Sequence, residues 1–263
     1  MFGRTQYSRW KTATLLIGVV GLAILIGWYV HKARLAAMEV QHAAAMDSVF
    51  TALSNYNDTE GHLPAAVNID SHGGPLSSWR FAVTPLLDSS FVDMHFEAKW
   101  DDPVNSRWAQ MAPTGYCLSK EAQTLRETSI TAITGPGTAF DPAQPARLQD
   151  LPPDTILLTE MVDSGIHWME PGDVSIDNVP AGLPLGLNGV GVHVGFADGL
   201  VWFLRPEVPA EVLKQFMTIE GARSNDRDVL LRPYLLHEYE GYVHRWERTQ
   251  AGNSESRGAE LEQ

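Results

Sequence analysis

Val190-Gly-Val-His-Val-Gly-Phe-Ala-Asp-Gly-Leu-Val-Trp-Phe-Leu204 decides the fold of this 263-residue chain. Two apolar runs flank Asp198-Gly199, and an Asp-Gly pair between alternating apolar residues is the strongest short-range signal for a β-hairpin. A two-residue turn requires positive φ at both Asp198 and Gly199. It predicts that Ala197 pairs with Leu200, Phe196 with Val201, Gly195 with Trp202 and His193 with Leu204. One face then carries Val190, Val192, Val194, Phe196, Val201 and Phe203. The other carries Gly191, His193, Gly195, Trp202 and Leu204, with Trp202 lying across Gly195. His193 stands in a row of glycines. It is either a ligand or acid–base group of a shallow pocket, or a core histidine held by a neighbouring loop.

Far upstream, Thr12–Val30 is nineteen residues without a charge, TATLLIGVVGLAILIGWYV. That is about the length that crosses ~30 Å of hydrocarbon as a helix. Arg4, Arg9 and Lys11 precede it, and Lys32 and Arg34 follow. The larger positive excess on the N-terminal side predicts a cytoplasmic segment at 1–11 and an extracytoplasmic remainder. A cleaved signal peptide has a shorter apolar region and a small-residue cleavage site. This run is longer and ends in the interfacial pair Trp28-Tyr29. An uncleaved single-pass anchor over 12–30 is the expectation.

The helical pattern then continues. Leu35, Met38, His42, Ala45, Val49, Leu53 and Tyr56 recur at steps of three and four, an apolar stripe along a spine over 31–57. Gly61 and Pro64 end it. The Ala-rich stripe suits the Val/Phe face of the hairpin; the same pattern also admits a coiled coil. Ser129–Thr134 and Thr155–Glu160 read as strands, and Trp79–Leu87 and Phe91–Trp100 as short helices. Glu207–Ile219 reads as an amphipathic helix with Pro209 in its first turn. Residues 223–248 form a C-terminal extension. The polar stretch 249–263 lacks periodicity and reads as a disordered tail.

Charge divides sharply along the chain. Residues 1–34 hold five of the 19 basic residues and none of the 32 acidic ones. The remainder carries 14 basic groups against 32 acidic, a net of −18. Such a surface repels nucleic acid, so nucleic-acid binding is excluded. The single Cys117 leaves no intrachain disulfide,.

Motifs for chemistry are sparse. Carboxylates cluster as Asp93/Glu97, Asp101/Asp102, Glu160/Asp163 and Glu170/Asp173, which raises glycoside hydrolysis or Ca²⁺ binding as readings. None matches a two-carboxylate motif or an EF-hand loop, and Glu160, ending an apolar strand, is the best single candidate. Gly135-Pro-Gly137 lacks the Lys and Ser/Thr of a phosphate loop, and there is no Gly-x-Ser-x-Gly or His-Glu-x-x-His. The histidines lack ligand spacing. No catalytic residue, metal ligand or cofactor is therefore assigned. Trp79, Trp100 and Trp168 are candidate binding residues alongside His193; alternatively, such tryptophans close the core of a loop-rich domain.

Several segments together carry a resemblance. They are Leu53-Ser-Asn-Tyr-Asn-Asp-Thr-Glu-Gly-His-Leu-Pro-Ala65, Ser78-Trp79-Arg80 with Pro85-Leu-Leu87, and Lys99-Trp-Asp-Asp-Pro-Val-Asn105. Next come Thr134-Gly-Pro-Gly-Thr-Ala-Phe140, Asp154-Thr-Ile-Leu-Leu-Thr-Glu160 and His167-Trp-Met-Glu-Pro-Gly-Asp173. Phe196-Ala-Asp-Gly199 running on to Leu204, and Met217-Thr-Ile219, close the series. This ordered set, over about residues 33–222, resembles a pilin-like domain of unknown function abundant in planctomycete bacteria. That family has a His-x9-Asp-Gly motif and is also grouped as extracellular solute-binding proteins. The chain departs from it in two places. Asn188 stands where the motif has His, and the Gly-Phe-Thr-Leu-x-Glu of a prepilin leader is missing.

The resemblance implies an α+β, pilin-like fold: a long N-terminal helix packed on a small antiparallel sheet with loop-rich insertions, the domain proper spanning 58–222. It implies no established catalysis. The expected role is that of a membrane-anchored, non-enzymatic envelope protein, structural or secretion-associated. Its partners would be the cytoplasmic membrane, through residues 12–30, and envelope or secretion proteins. An anchored solute- or glycan-binding protein is the alternative, and a glycosidase-type enzyme the third reading.

Overall fold

The computed structural model describes residues 3–179, 186 and 189–241, with side chains from residue 15 onward. The chain opens with helix α1 (Gly3–Glu60), closed by Gly61 at φ +81°, whose N–H reaches the Asn57 carbonyl. Strands β1 (Val67–Ile69) and β2 (Pro75–Ser78) form a small antiparallel ribbon. Helices α2 (Trp79–Leu87), α3 (Ser106–Ala109) and α4 (Lys120–Leu125) follow. The main sheet is built from β3 (Ile130–Thr134), β4 (Ile156–Glu160), β5 (Val174–Ser175), β6 (Val192–Phe196), β7 (Val201–Leu204) and β8 (Leu235–Tyr239). Between β7 and β8 lie α5 (Ala210–Met217), α6 (Ile219–Ser224) and α7 (Arg227–Leu230).

Two compact units divide the chain, Met1–Gln41 and His42–Gln263. In the first, α1 exposes Leu15, Ile17, Leu22, Ile24 and Trp28. Among the described residues this is one helix long and apolar enough to cross a membrane, compatible with a single-pass anchor.

The second unit is α+β. Its six-stranded sheet runs β5-β3-β4-β6-β7-β8. All pairings are antiparallel except β3–β5, so the sheet is mixed rather than antiparallel throughout. Residues 223–248 are no separate extension at their start, because β8 pairs with β7 and completes the sheet. The tail over 249–263 lies outside the described residues, as do Asn188 and the side chains of residues 3–14. Phe91–Trp100 forms turns instead of a helix, and its polar groups are tied down by Asn105, whose side chain bonds the backbone of His95 and Lys99. The amphipathic helix is interrupted at Thr218, whose side chain accepts from the Gly221 N–H and so caps α6 anew.

The hairpin forms, but one residue out of the expected register. Gly195 pairs with Val201, Val194 with Trp202 and His193 with Phe203. Phe196 N–H donates to Leu200 O and Gly199 N–H to Phe196 O, so the loop has three residues, Ala197-Asp198-Gly199. Gly199 alone enters the left-handed region, at φ +85°; Asp198 does not. A three-residue loop ending in a left-handed glycine is a standard alternative to the two-residue turn. Asp198 serves the loop with its side chain instead. It accepts from Leu200 N–H at 3.0 Å and forms an ion pair with Arg227.

Because strand side chains alternate, a slip of one residue moves one strand's set to the other face. Trp202 therefore joins Val192, Val194, Phe196 and Leu204 against Leu213, Phe216 and Met217 of α5. The glycine face, with His193, Gly195, Val201 and Phe203, turns toward α1. The helix face that meets it is Ala43, Met46, Val49, Phe50 and Leu53, all buried at helical spacing. Thus α1 packs on the glycine face, not on the Val/Phe face. Gly195 makes this approach close: a Cβ there would lie 3.1 Å from the Met46 sulfur.

At Gly199 a Cβ would lie 2.9 Å from a Phe50 ring carbon, on top of the strain of its positive φ. Gly199→Ala should therefore lower stability by about 1–3 kcal/mol, read as a lower urea midpoint at unchanged m-value. An unchanged midpoint would mean that the loop has another conformation open to it.

Candidate functional site

Glu160 ends β4, a strand buried at every position. Central placement between β3 and β6 carries its carboxylate toward α1 on one side and His193 of β6 on the other. His42 comes from α1 on the same helical face as Met46 and Val49. Exposure is 1% for Glu160, 2% for His42 and 0% for His193. His193 Nδ1 lies 2.8 Å from Glu160 Oε2, and the His193 backbone N–H donates to the same oxygen at 3.2 Å. His42 Nδ1 lies 2.9 Å from Glu160 Oε1. That second approach falls outside hydrogen-bonding direction, leaving His42 Nδ1 without a hydrogen-bond partner among the described residues.

Packing closes the site. The Phe203 ring stacks on His193 at 4.6 Å between centroids, and the two imidazoles meet edge-on at 5.9 Å. Gly186 is backbone wall, since a Cβ there would collide with Glu160 Oε2. Burial by itself would raise the pKa of Glu160. The contacts with His193 and His42 and their charges outweigh it and hold the carboxyl at about 2. The three residues form a His₂Glu donor set whose ligand atoms all lie within 4.8 Å of one another.

The sequence singled out Glu160 and His193 separately, and the structure joins them. His42 was legible only as a polar member of an apolar stripe. The histidines have no ligand spacing in sequence, but topology brings two of them to one carboxylate.

The tryptophan candidates go elsewhere. Trp79 and Trp168 are fully buried. Their indole N–H groups donate to Asp173 Oδ1 at 3.0 Å and to the Met111 carbonyl at 2.9 Å. Neither ring is open to a glycan; both close the core. Trp100 is part-buried and stacks on His167 at 4.8 Å. Sequence reasoning missed Arg80, which is fully buried in α2. It bonds Asp173 at 2.7 Å and the carbonyls of Trp168, Glu170 and Gly172. The signal was a basic residue between Trp79 and Phe81.

Most of the other carboxylates singled out in the sequence face solvent. Asp93, Glu97, Asp101, Asp102 and Asp163 are exposed. Cys117 is buried, and desolvation pushes its thiol up to about 12, so it is unreactive at neutral pH,. An open cleft of about 740 Å³ lies elsewhere in the second unit, lined by Glu60, His62, Asp141, Arg147 and Arg223 among others.

Comparison with protein-family models, with curated proteins and with solved structures returns no match. The reading of this site therefore rests on its own geometry.

Two stability predictions follow from the aromatic region. Arg80→Met removes the cation beside a buried carboxylate and should cost about 3–5 kcal/mol in denaturant unfolding; a loss under 1 kcal/mol would mean that Asp173 finds water or another donor. His167 accepts from Met169 N–H at Nδ1 and faces the Ala109 carbonyl through Nε2 at 3.0 Å, which fixes a neutral ring. Burial holds its pKa below the ordinary 6.5. The unfolded chain therefore binds this proton more readily. The contribution is complete above pH 6.5 and lost as pH falls through the folded value. Urea unfolding of wild type and His167→Gln from pH 7.5 to 5 should show the steeper decline in wild type.

Proposed function

We propose that this chain is a membrane-anchored, extracytoplasmic pilin-like envelope protein with a structural or secretion-associated, non-enzymatic role. The observation that carries this reading is α1. One uninterrupted helix contains both the exposed apolar segment Leu15–Val30 and the buried stripe from His42 to Leu53. Such a helix serves at once as an anchor and as the spine of a domain, which is the division of labour in a pilin. The basic residues before the segment favour a cytoplasmic N-terminus. The acidity of the remainder suits an exported, soluble domain. Enclosure of His42, Glu160 and His193 favours the non-enzymatic reading, because a reacting substrate needs access to its acid–base groups.

The alternative is an anchored solute-binding protein. Its support is the open cleft beside His62, Asp141, Arg147 and Arg223, whose mixed charges suit a small polar solute,. The tryptophans lend it none.

Membrane fractionation of cells expressing the full chain tests the anchor. The protein should resist alkaline carbonate extraction, carry the N-terminus of the intact chain, and expose its C-terminal domain to protease added to spheroplasts. A mature N-terminus beyond residue 30 would replace the anchor with a cleaved signal peptide.

A further inference from the structure

We propose that His42, Glu160 and His193 bind a single divalent transition-metal ion of the zinc class. Two imidazoles and one carboxylate are the donor types that Zn²⁺ and its neighbours take. They come from three elements, α1, β4 and β6, and converge at one buried point. The 2.8 and 2.9 Å contacts of the two ring nitrogens with the carboxylate would open by a few tenths of an ångström, to the ~3.3 Å between neighbouring ligands of a tetrahedral ion, when the ion enters.

Hydrogen bonding does not account for the place of the His42 ring nitrogen in the cluster. His193 Nδ1 has a hydrogen bond to Oε2, but His42 Nδ1 approaches Oε1 just as closely without the direction of one. A buried ring nitrogen 2.9 Å from a carboxylate oxygen but outside hydrogen-bonding direction is placed to share a cation with that oxygen. Exposure of 2% or less at all three residues keeps bulk water from the site, and three protein ligands leave a fourth position on a tetrahedral ion to a further donor. The ion would tie α1 to the two central strands. Ligation would take each ring through a bare Nδ1.

The full-length protein, purified in detergent and stripped with EDTA, is titrated with Zn²⁺ and separately with Co²⁺. One equivalent of Zn²⁺ should bind, raise the melting temperature and be reversed by EDTA. Co²⁺ should give ligand-field bands in the visible at the same stoichiometry, displaced by Zn²⁺. Glu160→Gln and His42→Gln should each weaken Co²⁺ binding by at least about a hundredfold. Wild-type protein that binds no stoichiometric ion and melts unchanged would overturn the proposal and leave a buried carboxylate–imidazole triad. Bands that persist in folded Glu160→Gln and His42→Gln would overturn it too, placing the ion on other histidines. Where one of these variants fails to fold, His193→Gln takes its place in the same titration, with the same loss expected.

Discussion

A carboxylate with 1% of its surface exposed must be met by polar partners, and Glu160 meets imidazoles from α1 and from β6. An isolated buried charge costs many kcal/mol, and removing one partner of a buried pair costs about 3–5. That penalty fixes geometry as well as energy. A one-residue shift along α1 turns a side chain by about 100° around the helix axis, which would carry His42 off the sheet and leave Oε1 without its ring. A one-residue slip of β6 would turn His193 to the opposite face. Few other contacts in the second unit discriminate so sharply between neighbouring registers. Apolar burial is roughly proportional to area and tolerates sliding. The polar cluster does not.

Glycine completes what the cluster begins. Gly195 lies two residues beyond His193 on the same face, where the Met46 side chain comes against the strand. Gly199 admits the Phe50 ring in the same way. The alternation Val-Gly-Val-His-Val-Gly-Phe therefore has a physical division. Valine and Phe196 fill the side toward α5, and glycine leaves room on the other for a helix to approach. The sequence announced the hairpin and misplaced its faces, because Asp-Gly is compatible with loops of two residues and of three. What tips the balance is remote in sequence. Asp198 is drawn to Arg227 in α7, which also bonds Asp154 at 3.2 Å and packs over Phe196 and Trp202. No short-range rule contains that partner.

Periodicity made the long helix legible, along with β3, β4 and α2. Each is an apolar pattern that burial alone explains. Phe91–Trp100 was misread because its apolar residues are spaced by packing against Trp108, Trp168 and Phe81 around a loop, not by a backbone period. β5 escaped notice at two residues, too short to carry a pattern. β8 alternates weakly because an edge strand is half exposed, so its membership in the sheet depended on β7 being there to pair with it.

Four ionisable residues interrupt apolar patterns in this chain: His42, Arg80, Glu160 and His193. All four are buried. That much follows from sequence, since a polar residue fixed in a buried stripe needs a partner. Which partner does not follow. By charge alone Glu160 could have paired with Arg80, leaving the histidines to each other. Topology decides against it. The parallel pairing of β5 with β3 sets Asp173 beside Ala132, whose N–H it accepts at 2.8 Å, and from there it reaches Arg80. Glu160, on the neighbouring strand, meets β6 and α1. Two buried charge systems are thus held apart by the order of the strands. One is closed by a permanently charged guanidinium. The other is closed by two imidazoles that can also act as ligands, which is why the chemistry of this domain is to be sought at Glu160 and not at Asp173.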